Sequence, residues 1–198
     1  MTKVIGLTGG IASGKSTVTA FLQQNGYQVI DADAVVHELQ SKGNRLYAVL
    51  VKEFGPSILL ADGQLDREKL GRLVFSNEER RKRLSDIQDA IIREELLVRK
   101  EQLEQTERVF FMDVPLLYEL DYSGIVDEVW LVYVDKYQQL ERLIKRNGYS
   151  SQEARNRIDA QFSLERKKVL ADKVIDNSGN LDTTLAQVKA YLEELENG

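Results

Sequence analysis

The chain has no cysteine. That excludes disulfides, thiolate metal sites and a cysteine nucleophile, and it suits a reducing compartment. It has one histidine, so no histidine cluster can hold a metal. No apolar run approaches the roughly 20 residues that a spanning helix needs. The apolar stretch of residues 4–7 is too short for a signal-peptide core, with no small-residue cleavage site behind it. An excess of positive charge is missing too. Lys and Arg number 27 against 32 Asp and Glu, for a net charge of −5. Bulk nucleic-acid binding needs a basic face and is not expected. These absences point to a cytoplasmic protein without membrane or nucleic-acid partners. A monomer is expected, with a small homo-oligomer as the alternative.

What is present suits a globular domain. Of 198 residues, 42% are hydrophobic, enough for a core, and 30% are charged. Residues 3–7 form a β-branched run that stops at Thr8-Gly9-Gly10, as a strand buried on both faces would. From Lys15 the period turns helical, with Val18, Phe21 and Leu22 on one face, until Asn25-Gly26. Residues 27–30 read as a second strand. Strand, helix, strand in about thirty residues is a βαβ unit and implies a parallel sheet.

Residues 34–104 carry little strand signal. Segments 46–54, 67–75 and 78–103 read helical, broken at Gly55-Pro56 and Asp62-Gly63. Further strands are expected at 109–112, 128–134 and 174–176. Helices are expected at 137–146 and 181–195, the first closed by Asn147-Gly148. Ser150 or Ser151 should cap another helix, with Glu153 set for a capping box.

Gly9-Gly10-Ile11-Ala12-Ser13-Gly14-Lys15-Ser16-Thr17 matches G-x-x-x-x-G-K-[ST] from Gly9. Glycines let the backbone close around phosphate oxygens, with amides pointing inward at a helix N-terminus. Lys15 would reach the β- and γ-phosphates and the Ser16 hydroxyl would ligate Mg²⁺. A chance glycine-rich turn matches in a chain this long with odds on the order of one per cent. Here the match also lies between a strand and a helix, as it should.

Asp31-Ala32-Asp33 follows the second strand. In extended backbone both carboxylates would share a side. One could take a proton from an incoming hydroxyl, worth about 10²–10⁴-fold. Asp33 is assigned this role and Asp31 a cap or support of the metal shell; the bland alternative is a helix N-cap, a job expected of one of the pair. Asp113 ends the apolar run 109–112 as a Walker B carboxylate does and could hold Mg²⁺ directly or through water. His37, four residues beyond Asp33, is a candidate substrate contact. Arg142 and Arg146, one turn apart, are favoured for the phosphates. Arg155, Arg157, Arg166, Lys167 and Lys168 read as solvated helix surface. Arg80-Arg81-Lys82-Arg83 reads as an exposed face that could meet an anionic substrate.

The chain resembles the bacterial dephospho-CoA kinases over nearly its whole length. The resemblance rests on the phosphate-loop segment from Ile5 to Thr17 and on Asp31-Ala32-Asp33, Phe54-Gly55 and the stretch from Leu65-Asp66-Arg67 to Phe75. It continues through Asp113-Val114-Pro115-Leu116-Leu117-Tyr118-Glu119, Glu141-Arg142-Leu143, the stretch from Arg157 to Gln161, and Ile175-Asp176-Asn177-Ser178-Gly179. It implies an α/β fold of the P-loop NTPase type: a three-layer α/β/α arrangement with a five-stranded parallel sheet, a helical substrate-binding insertion and a lid. The implied parts are a nucleotide-binding core of residues 1–33, 107–136 and 172–198, an acceptor-binding domain of 34–106, and a lid of 137–171.

It also implies ATP as donor with Mg²⁺, dephospho-coenzyme A as acceptor, and the last step of coenzyme A synthesis. Asp33 would be the base, Arg142 a lid group and Asn177 an adenine-side contact. Gly10 to Thr17 and Arg146 would hold the nucleotide. Asp33, His37, Asp113, Leu117 and Tyr118 would meet the substrate. One departure is visible: where the family often has His-Pro before Ile-Arg, this chain has Asp89-Ala90 before Ile91-Ile92-Arg93. Alternatives outside this reading are a kinase of another small acceptor such as a nucleoside monophosphate, and a regulatory nucleotide-binding module. A GTP switch would need an Asn-Lys-x-Asp motif, which is absent.

Overall fold

The computed structural model describes residues 2–75 and 77–197. The chain divides into two compact units, Met1–Ile30 with Thr106–Gly198, and Asp31–Gln105. Residues 137–171, expected as a lid, fall within the first unit.

The first unit is built on a five-stranded sheet of β1 (Lys3–Gly9), β2 (Val29–Asp31), β3 (Val109–Asp113), β4 (Glu128–Tyr133) and β5 (Lys173–Asp176). The order is β2-β3-β1-β4-β5, and the sheet is the expected parallel one. In the register, Leu7 stands beside Asp113, and Gly9 beside Val132. The central strand β1 therefore delivers its loop to the carboxyl edge of the sheet, flanked by the ends of β3 and β4. That edge is where α/β sheets bind ligands.

Both faces are covered, which is why the strands read as apolar runs. Alternation sends Trp130 and Val132 to one face and Leu131 to the other. On the first face, Ile5, Leu7, Phe111 and Trp130 pack with Val18 and Leu22 of helix α1 (Lys15–Gln24). Val188 and Leu192 of the closing helix join them. On the second face Leu131 and Val134 meet Leu164. Tyr27, Phe111, Trp130 and Tyr191 form an edge-to-face row across the first face, with centroid spacings of 5.6, 5.3 and 5.4 Å. Such pairs add about 0.5–1.5 kcal/mol each beyond their burial.

In the second unit come α2 (Ala32–Leu39), α3 (Arg45–Phe54), α4 (Arg67–Phe75) and α5 (Glu78–Glu104). Asp89 pairs with Arg93 at 3.6 Å on the surface of α5, which runs unbroken past Ala90. The basic cluster at 80–83 has one member tied down: Arg83 pairs with Glu53 at 3.0 Å. Back in the first unit, the remaining helices are α6 (Lys136–Asn147), α7 (Ser151–Asp159), α8 (Leu164–Leu170) and α9 (Leu181–Asn197). Local signals set their ends. Asp135 caps α6 by accepting the amides of Tyr137 and Gln138, and Gly148 closes it at φ 69°. Ser150 and Glu153 form the expected capping box.

Candidate active site

Five residues join β1 to α1, and their backbone is strained into a cup. Ala12 and Gly14 both take left-handed φ, at 60° and 90°. Such a conformation costs a non-glycine residue about 1–3 kcal/mol and persists only where its surroundings enforce it. The loop closes on itself through two turns, with the Ser13 amide donating to the Gly10 carbonyl at 3.1 Å and Thr17 to Gly14 at 3.0 Å. Gly14 precedes α1 without any side-chain cap. The amides of Lys15 and Ser16 at the start of α1 are thus left for an anion, at the positive end of the helix. Glycine is required at 14 twice over: by its φ, and because a Cβ there would collide with Asn177 Nδ2.

The enforcing surroundings come from later in the chain. Ile11 is held on both sides: its amide donates to Gln161 Oε1 at 2.9 Å, and its carbonyl accepts from Gln139 Nε2 at 2.9 Å. Asn177 Nδ2 donates to the Ser13 carbonyl at 2.8 Å, while its Oδ1 accepts from Thr184 Oγ1 at 2.8 Å. Arg142 donates to the Asn177 carbonyl at 2.9 Å. Arg146 is exposed and donates to its neighbour Asn147, so the two arginines expected to work as a pair engage different groups. Ser13 Oγ is buried without a partner among the described residues.

The Lys15 ammonium is bonded to Asp113 Oδ1. Thr19 Oγ1 donates to Asp113 Oδ2 at 2.6 Å. Both oxygens of this carboxylate, only 3% exposed at the side chain, are therefore engaged. The Ser16 and Thr17 residues are exposed at the start of α1.

The aspartate pair differs from the extended arrangement expected of it. Asp31 accepts the Ala34 amide at 3.0 Å and is the N-cap of α2. The helix therefore starts at Ala32, and Asp33 lies in its first turn, exposed. The stretch is therefore not extended throughout: Asp31 closes the strand and caps the helix, and Asp33 is already helical. His37 lies on the same helix and lines an open cavity of about 330 Å³ with Ser41, Asp62, Gln64 and Arg67.

Of three further positions, two are buried and one is partly so. Leu117 is fully buried, its Cδ1 2.7 Å from where a Cβ on Gly6 would stand, and works as a core side chain. The Tyr118 hydroxyl is buried without a partner among the described residues. Burial, helped by the charge of Asp172, pushes it up to about 12. Lys167, read above as solvated surface, has no exposed area. The local clue was its position three residues after buried Leu164, on the apolar face of α8. Gln139 gives the same kind of clue, one turn before buried Leu143 on α6.

The chain matches the family model for dephospho-CoA kinase over residues 3–183. The chain belongs to the dephospho-CoA kinase family. All the motif segments from Ile5 to Gly179 lie within the matched span. A protein named dephospho-CoA kinase from Streptococcus pneumoniae strain R6 is 56% identical over 193 residues, covering 98% of this chain and 96% of that protein. Among solved structures, a Thermus thermophilus protein is 34% identical with a TM-score of 0.82, covering 98% of each chain. The dephospho-CoA kinase from Campylobacter jejuni is 29% identical with a TM-score of 0.78, covering 100% of this chain and 99% of that one.

The side chain of Asn177 braces the phosphate loop. Asn177→Ala should destabilise the protein by about 1–3 kcal/mol, because it strands the Ser13 carbonyl and the Thr184 hydroxyl together. Denaturant unfolding measures this; an unchanged midpoint would show that the brace is dispensable.

Proposed function

We propose that this chain transfers the γ-phosphoryl group of ATP to the 3′-hydroxyl of dephospho-coenzyme A, giving ADP and coenzyme A, the last step of coenzyme A synthesis, in the cytoplasm. The observation that carries the reading is the match at 56% identity across 98% of the chain to a relative of that name. The cup of residues 9–17 supports it from below, being shaped for a polyphosphate.

The residues divide the work as follows. The first-turn amides and the loop from Gly10 to Thr17 cradle the phosphates. Lys15 exchanges Asp113 for the β- and γ-phosphates, and Arg142 adds positive charge to the same end of the loop. Asp33 orients the acceptor hydroxyl and accepts its proton, for which it must come within hydrogen-bond reach of it. His37 and Tyr118 contribute to the acceptor's surroundings. Leu117 serves only by packing. Asn177 acts through the loop it braces.

The residues also fit a magnesium ion that arrives with the nucleotide. Among the described residues no three His, Cys, Asp or Glu side chains are grouped to hold a metal. Most ligands would then be phosphate oxygens and water, as this ion prefers. Ser16 offers an exposed hydroxyl, and Asp113 serves through water or directly once Lys15 has moved to the phosphates. When bound, the ion neutralises charge across the β- and γ-oxygens.

The test is ADP release measured with dephospho-coenzyme A, with nucleoside monophosphates, and with no acceptor. Release confined to dephospho-coenzyme A is expected. Release confined to a nucleoside monophosphate would overturn the acceptor assignment.

A further inference from the structure

Lys167 has three ammonium protons and three oxygen partners. It donates to the Gly9 carbonyl at 3.1 Å, to the Pro115 carbonyl at 2.9 Å, and pairs with Glu119 Oε1 at 2.9 Å. Each partner is itself placed. Pro115 also accepts the Thr8 hydroxyl at 3.1 Å, and Glu119 Oε1 accepts the Phe162 amide at 2.9 Å. The ammonium is thus the node at which the end of β1, the segment after β3 and helix α8 meet.

A charge in such a place is costly. Burial pulls the ammonium's pKa down while Glu119 holds it up. For stability alone, an apolar side chain of similar volume would often serve as well or better. No apolar side chain, however, could bond carbonyls from two different segments. Those segments are the ones the chemistry uses. Gly9 opens the phosphate loop, and Pro115 lies two residues beyond Asp113, the partner of Lys15. Displacement of reacting groups by about 1 Å can cost on the order of 100-fold in rate.

We infer that Lys167 is a positioning residue for phosphoryl transfer, holding the Gly9 carbonyl at the mouth of the phosphate loop and the Pro115 carbonyl beyond Asp113 at a fixed separation. The inference rests on the reading of residues 9–17 as the ATP site. It assigns the activity to the two carbonyl bonds, and not to the ion pair with Glu119.

Two variants separate those contributions. Lys167→Met combined with Glu119→Gln removes the cation without leaving a carboxylate buried alone. This double variant should still fold, with an unfolding midpoint lowered by the loss of the donor to the two carbonyls. Its kcat/KM for ATP should fall about 30–100-fold, and its Kd for ATP, titrated without acceptor, should rise about tenfold. Glu119→Gln alone keeps both carbonyl bonds and should hold kcat/KM within about threefold of the parent. A double variant with the parent's Kd and kcat/KM overturns the inference. So does a Glu119→Gln variant that loses more than about tenfold, since the ion pair would then carry the effect. Should the double variant not fold, Glu119→Gln decides alone. Parent protein that binds ATP but releases no ADP with dephospho-coenzyme A would defeat the acceptor reading instead, and the Kd comparison would still judge Lys167.

Discussion

Asp33→Asn should slow turnover about 10²–10⁴-fold while leaving ATP affinity nearly unchanged. The structure keeps this substitution away from the helix cap. Asp31, not Asp33, caps α2, so its bond to the Ala34 amide survives the change. Asparagine keeps the size of the side chain and is tolerated in a first turn; losing the negative charge near the helix start typically costs about 0.3–1 kcal/mol. What disappears is the acceptor of a proton. With a loose phosphoryl transition state, part of the loss would come from poorer orientation of the hydroxyl rather than from proton transfer itself. Steady-state ADP release together with calorimetric ATP titration checks both halves. Unchanged turnover would remove Asp33 from the role.

Lys15→Met should have two large effects of different origin. Phosphoryl transfer should fall by about 10²–10³-fold or more, because the cation meant for the β- and γ-phosphates is gone. Stability should also fall, by about 3–5 kcal/mol, because the buried Asp113 carboxylate would lose its ion-pair partner. Adding Asp113→Asn should recover most of the stability and none of the turnover. Denaturant midpoints and ADP release distinguish the two. If the single variant unfolds like the parent, the ion pair contributes little to the fold. If it turns over like the parent, Lys15 has no part in the chemistry.

Much of this was readable from short stretches of chain. The phosphate loop, the capping box of Ser150 and Glu153, and the stop at Gly148 are local patterns, each enforced by backbone geometry within a few residues. The strands were readable because burial on both faces makes them apolar throughout. The supports of the site were not. Lys167 and Gly9 are 158 positions apart, Gln161 and Ile11 150, and Asn177 and Ser13 164. No periodicity links residues at such distances, and only the fold brings them together. Asp31-Ala32-Asp33 misled for a different reason. A strand end and a helix start compete for the same residues there, and the Asp31 cap draws the helix two residues earlier than extended backbone through Asp33 would allow. Lys167 misled because a lysine on a charged helix resembles its solvated neighbours Arg166 and Lys168 in every respect but its face.

The aromatic row across the sheet has an optical consequence. Trp130, its third member, is the chain's one tryptophan and is wholly buried. Its indole emission reports directly on the sheet unit, since Asp31–Gln105 has no tryptophan. A fluorescence melt of this protein is accordingly a measurement on part of the molecule, whereas circular dichroism draws on the helices of both units.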